Sequence, residues 1–208
     1  ADKLGLLVWQ DMPAMVNEGI LPDGTIVKRR PEAGAEWKQQ FEAEFKEMID
    51  QLRSVPSIIG WIAFNEGWGE YRDAKDVTRL GNEIKAYDPT RFLAVETAAG
   101  PAKNGDVIDW HTYPGPGSPP PLETRLAGEG EWGGMGFVVK DHSWTQVNRD
   151  QDTCAKYTSK YVGMVGRLKE FLYSPGLSYA FFTQLTDVEN ERNGFFTYDR
   201  AVFKGDRG

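Results

Sequence analysis

Two stretches hold carboxylates where reactive groups are commonly placed. In residues 56–69, PSIIGWIAFNEGWG, an unbroken apolar run over 57–64 stops abruptly at Asn65-Glu66-Gly67. In residues 128–134, GEGEWGG, glycines crowd Glu129 and Glu131 at the end of a second short run. A carboxyl at the carboxyl end of a buried parallel strand sits where α/β barrels and open sheets gather their chemistry. Carboxyls on two such ends suit proton transfer and nucleophilic attack. Position alone also fits Glu66 as a cap of the helix that follows. The second acid on a different strand end favours the chemical reading.

The elements that must position these acids read as strands alternating with helices. The run at 57–64 lacks a polar face, as strands buried on both sides do, and 4–9 is equally apolar; 91–96 and 106–111 read as further short strands, and 177–185 as the last buried one. The run at 4–9 ends in Gln10-Asp11-Met12-Pro13, which leaves Asp11 at its carboxyl end and repeats the pattern at Glu66. Residues 35–55 place Trp37, Phe41, Phe45, Met48, Ile49 and Leu52 at spacings of three and four, an amphipathic helix closed by Pro56. A second helix spans 73–86 with Asp73 as N-cap, and a third spans 151–173. Residues 17–34 read as a long loop with a small ribbon at 25–28. TYPGPGSPPP after His111 is too rich in proline and glycine for helix or sheet.

Composition narrows the function classes. The chain has 208 residues and a net charge of −7, which argues against nucleic acid or an anionic membrane surface as partner. No stretch reaches the apolar length of a membrane span. Cys154 is the single cysteine, so no internal disulfide forms, and its place in a helical pattern predicts a buried thiol. His111 and His142 are the only histidines, which disfavours a His-rich zinc site, and no metal is expected. No compartment is assigned. Without an initiator methionine or signal peptide, the chain is expected to be a processed or truncated piece of a longer one.

Short strands alternating with helices predict parallel βα units in one domain spanning 1–208. The choice lies between a doubly wound sheet and a barrel. No glycine-rich phosphate loop follows any strand, and polar residues end several different strands, which favours a (β/α)8 TIM barrel.

The stretches LGLLVWQDMP, PSIIGWIAFNEGWG, DWHTYPGP, GEWGGMGF and YAFFTQLTDVENERNGFFTYDR resemble, in that order, the catalytic barrel of glycoside hydrolase family 2, the β-galactosidase, β-glucuronidase and β-mannosidase group. The resemblance implies a retaining exo-glycosidase, β-galactosidase-like, that cleaves terminal β-glycosidic bonds through a covalent glycosyl-enzyme intermediate without a cofactor. It puts the acid/base on Glu66 and the nucleophile on Glu131, the carboxylate followed directly by an aromatic and glycine. It puts Asn65 on the sugar 2-hydroxyl, Tyr113 against the nucleophile, and His111 and Asp11 at the pocket wall. Cleaving an acetal needs one protonated and one ionised carboxyl, which fits such a pair. Sugar rings pack on aromatics, and Trp68, Trp132 and Trp144 are the tryptophans expected near the pocket. Asp187 and Glu189 rank below the pair, as loop-fixing or solvated carboxylates, and His142 is expected to be structural.

Against that family, the match begins at the third barrel strand, so about the last six βα units are expected. Thr183 or Gln184 stands where the family has a tryptophan on its last strand. The chain is therefore expected to be a fragment of a larger hydrolase, or to associate with its own copies. Two other functions fit: an inactive carbohydrate-binding or structural fragment, and an endo-β-glycanase of the same barrel superfamily.

Overall fold

The computed structural model describes residues 1–14, 34–67, 70–71, 73–98, 103–144 and 153–206. The expected ribbon at 25–28 and Trp68 lie outside them. The chain divides into two compact units, residues 1–109 and 110–208.

The first unit is a βαβαβ arrangement. β1 (Val8–Asp11), β2 (Ile58–Phe64) and β3 (Phe92–Glu96) form a parallel sheet in the order β1-β2-β3, with α1 (Ala35–Leu52) and α2 (Ala74–Tyr87) as crossovers. The stripe read from the sequence is the one that packs. Phe41, Phe45 and Ile49 of α1 and Val77, Leu80 and Ile84 of α2 join Trp61, Phe64, Leu93 and Val95 in one core. Each such side chain contributes roughly 1.5–3 kcal/mol by leaving water. Asp73 caps α2, its side chain accepting from the Lys75 amide at 2.9 Å. Trp37, expected on the inner stripe, is 52 % exposed in the first turn of α1. The run at 4–9 is also less of a strand than its composition suggests. Asp2–Leu4 is a 3-10 turn, pairing begins only at Val8, and Leu4, Leu6 and Leu7 are exposed.

A polar latch closes the amino ends of this sheet. Trp61 Nε1 and Arg91 donate to Asp88 Oδ2 at 3.0 and 2.9 Å, Thr90 Oγ1 donates to Asp88 Oδ1 at 2.5 Å, and Arg91 also donates to the carbonyls of Ile58, Arg53 and Val55. Burial by itself would raise the Asp88 carboxyl, but the hydrogen bonds from Thr90, Trp61 and Arg91 outweigh it and hold the group at about 2.

The division into units falls within β4 (Val107–Thr112). β4, β5 (Leu126–Gly133) and β6 (Leu177–Thr183) make a second three-stranded parallel sheet, and α3 (Cys154–Tyr173) connects β5 to β6. Gly128 stands where a Cβ would come within 2.0 Å of the Tyr179 ring, so any side chain there would have to displace that ring. In the second unit Trp132 stacks on Tyr161 and meets Phe182 edge-on, while Phe182 stacks on Phe195 at 4.2 Å. Lys204, 0 % exposed, donates to Asp187 Oδ1 at 2.6 Å and to the carbonyls of Phe137 and Arg192. Burial lowers its pKa, with Asp187 opposing.

These elements overturn the TIM-barrel expectation. The described residues hold six strands in two three-stranded sheets with three α-helices, and among them no eight-fold (β/α) barrel is present. The strict alternation on which the barrel rested fails at particular places. The proline-rich stretch after β4 leads to β5 without a helix, and β6 is followed by turns and isolated bridges rather than a helix. Cys154 is also corrected: it is exposed at the first turn of α3, ahead of the buried stripe that starts at Tyr157.

Candidate functional site

In the first unit the parallel strands bring their carboxyl ends to one edge. Asp11 pairs in register with Ile62, and Glu96 with Phe64, so Asp11, Asn65, Glu66 and Thr97 all follow from that edge. Asp11 is exposed, and the Met12 amide donates to the Ile62 carbonyl at 2.8 Å. Beyond β2 the chain makes a single 3-10 turn, Asn65–Gly67, in which Glu66 has φ 50° and ψ 27°. That is the left-handed region, uncommon for a residue with a Cβ.

Thr97 holds this turn. Its hydroxyl accepts from the Glu66 amide at 2.9 Å and donates to Asn65 Oδ1 at 2.8 Å, and its amide donates to the Phe64 carbonyl at 3.1 Å. One buried hydroxyl therefore fixes both the backbone of Glu66 and the side chain of Asn65. Sequence reasoning passed over Thr97. The signal was there, a hydroxyl one residue past the apolar run of the next strand.

In the second unit Glu131 lies near the end of β5, its side chain 26 % exposed. The Tyr113 hydroxyl donates to Glu131 Oε2, and His111 Nδ1, on a side chain only 4 % exposed, lies 3.6 Å from the same oxygen. The phenol's hydrogen bond is charge-assisted when the carboxylate is ionised and fixes its orientation. Local backbone makes room for this contact. Gly134, at φ 58°, is where a Cβ would come within 2.7 Å of the Tyr113 ring, so a side chain there would push the phenol off Glu131. The β5–β6 register is irregular between Glu129 and Trp132, a device that re-aims side chains at strand ends.

The two acids of GEGEWGG are thereby told apart. Glu129 is 0 % exposed and is occupied inside the unit, accepting from Thr112 Oγ1 at 3.2 Å and the Gly117 amide at 3.1 Å. Glu131 keeps part of its surface open. Trp132 does not take the sugar-facing place expected of it. It is 3 % exposed and lies within the aromatic core, because successive side chains of a strand point to opposite faces and Glu131 holds the other one. Asp187 is likewise consumed in the buried pair with Lys204, whereas Glu189 is exposed. His142 pairs with Asp199.

No family model matches the sequence, and no curated protein matches it. Solved structures do. The FMN-binding β-glucuronidase from Facaelibacterium prausnitzii L2-6 superposes with a TM-score of 0.65 at 18 % identity, over 97 % of this chain and 34 % of that one. A Bacteroides uniformis β-glucuronidase gives 0.63 at 20 %, over 96 % and 27 %. The Parabacteroides merdae β-glucuronidase gives 0.62 at 17 %, over 97 % and 30 %. The chain spans about a third of the length of these structures. At such identities the likeness concerns fold, and the chain has the fold of one portion of a bacterial β-glucuronidase.

Proposed function

We propose that the chain carries the catalytic carboxylates of a glycoside hydrolase related to family 2, acting on terminal β-glycosides with retention. Glu131 is the nucleophile and Glu66 the acid/base. Asn65, Asp11 and His111 contact the sugar, and Tyr113 orients Glu131. The observation that carries the reading is the setting of Glu131, half-open at a strand end with a tyrosine hydroxyl and a histidine nitrogen on one of its oxygens. The left-handed backbone at Glu66, held by Thr97, supports it from the other unit, since such outliers concentrate where side chains do chemistry.

In this mechanism ionised Glu131 attacks the anomeric carbon while protonated Glu66 gives its proton to the departing oxygen. Water activated by Glu66 then releases the sugar from Glu131. The structures named above are all β-glucuronidases, and none singles out galactose.

The test is labelling with 2-deoxy-2-fluoro glycosides of galactose, glucuronic acid and mannose, followed by peptide mapping, beside turnover of the matching chromogenic glycosides. A covalent adduct on Glu131, turnover lost in Glu131→Gln and rescue of Glu66→Ala by azide are expected. An adduct on Glu129, or full turnover in Glu131→Gln, would refute the assignment.

A further inference from the structure

The second unit carries a surface group that the proposed chemistry leaves unused. Trp144 and Tyr198, 59 % and 41 % exposed, stand with ring centroids 5.1 Å apart and planes inclined at 59°. They belong to two different turns, and the residues beside them tie those turns together. His142 Nδ1 lies 2.7 Å from Asp199 Oδ2, while Asp199 Oδ1 accepts from Thr197 Oγ1 at 2.6 Å and from the Ala201 amide at 3.1 Å. Hydrogen bonds from Thr197, then His142 and Ala201, hold the Asp199 carboxyl at about 2, so it is ionised at neutral pH.

An ionised carboxylate on Nδ1 fixes the histidine tautomer. Nδ1 carries the proton it donates to Asp199, which leaves Nε2 as the second polar atom of the ring. The surface thus offers two exposed aromatic rings set at an angle, a polar ring nitrogen and a fixed negative charge. Aromatic faces of this kind take ligands that are apolar on one side and polar at the rim. A pyranose ring has that form, with C–H groups on one face and hydroxyls around its edge. The carboxylates of Asp199 and the exposed Asp141 disfavour an anionic sugar. Because the turns are already pinned, little ordering is left for the ligand to impose.

We propose that Trp144 and Tyr198, positioned by the His142–Asp199 pair, form an accessory binding site for a neutral pyranose residue of a glycan. The sugar stacks on Trp144 and Tyr198, with a hydroxyl hydrogen-bonded to His142 Nε2. The choice of a sugar rests on the glycosidase reading above, and the experiment keeps the two apart by using the full chain with Glu131→Gln, in which no turnover is needed.

The protein is labelled with 5-fluorotryptophan, and its fluorine spectrum is followed during titration with cellobiose, β-1,4-mannobiose, β-1,4-galactobiose and glucuronic acid. The Trp144 resonance, assigned by its loss in Trp144→Ala, shifts with at least one neutral disaccharide. Calorimetry shows that disaccharide bound tenfold or more weakly by Trp144→Ala, and more weakly by Tyr198→Ala, with the circular dichroism of both variants unchanged. A Trp144 signal that moves with none of the neutral disaccharides overturns the proposal, and so does unchanged affinity in Trp144→Ala. A Trp144 resonance that shifts with glucuronic acid as strongly as with the neutral sugars overturns the ligand class. Chromogenic assays of the wild-type chain test the catalytic reading separately.

Discussion

Replacing Asp88 by asparagine tests whether charge, rather than shape, closes the amino ends of the first sheet. Asp88 is 6 % exposed and receives Trp61, Thr90 and Arg91, and its carboxyl sits at about 2 against an ordinary value of 3.8. That difference corresponds to about 2 kcal/mol of preference for the ionised form in the folded chain. The folded pKa is depressed, so this stability is fully present above the unfolded value near pH 4 and is lost as pH falls through about 2. Asp88→Asn keeps the size and two hydrogen-bonding atoms but removes the charge facing Arg91. At pH 7 the variant should be less stable by about 2 kcal/mol, or about 4–8 °C in Tm for a chain of this size. The gap should narrow steadily between pH 4 and pH 2. Urea unfolding followed by tryptophan fluorescence at pH 7, 4 and 2.5 measures it. A gap of the same size at every pH would show that packing carries the effect and would refute the electrostatic argument. A gap under about 0.5 kcal/mol at pH 7 would do the same, since it is the range of an ordinary surface substitution.

Other substitutions reach the second unit and the site. Lys204→Met leaves the Asp187 carboxylate buried without its cation and should cost about 3–5 kcal/mol, read by urea unfolding. A loss under about 1 kcal/mol would contradict this. Gly194→Ala places a Cβ 2.3 Å from the Thr186 carbonyl carbon and 2.4 Å from the Asp187 nitrogen, both backbone. It should destabilise by about 1–3 kcal/mol or more, and an unchanged melting curve would show that the turn yields. Tyr113→Phe removes the hydroxyl donor on Glu131 and should lower kcat on the best chromogenic glycoside about 10²–10³-fold, as loss of one well-placed donor does. Equal kcat would detach Tyr113 from the reaction.

What could be read from the sequence was local. The 3-and-4 spacing in 35–55 locates α1 with its Phe41, Phe45 and Ile49 stripe, and the isoleucine-rich run locates β2 to within one residue. Asp73 as a cap is equally local, since its side chain needs only the next turn. Which strands pair, and whether a sheet closes, depends on contacts far apart in sequence that no periodicity encodes, and there the barrel expectation failed. Trp132 is a different case, in which a local rule was legible. Its position after Glu131 suggested a shared pocket, but strand alternation separates neighbours, and the alternation could have been applied beforehand. Glu131 and Glu129 are equivalent in composition and differ only by burial, which requires Thr112 and Gly117 to be in place. Thr97 was overlooked because its value lies in hydrogen bonds to another strand's turn.

The backbone at Glu66 has a consequence for variation. A residue with a side chain pays of order 1 kcal/mol to sit in that left-handed conformation, and glycine does not. At the backbone alone, Glu66→Gly relieves this cost while stripping the turn of its acid. The turn's geometry by itself fits glycine better than glutamate, so what retains an acid there is the work of its side chain and not the fit of its main chain.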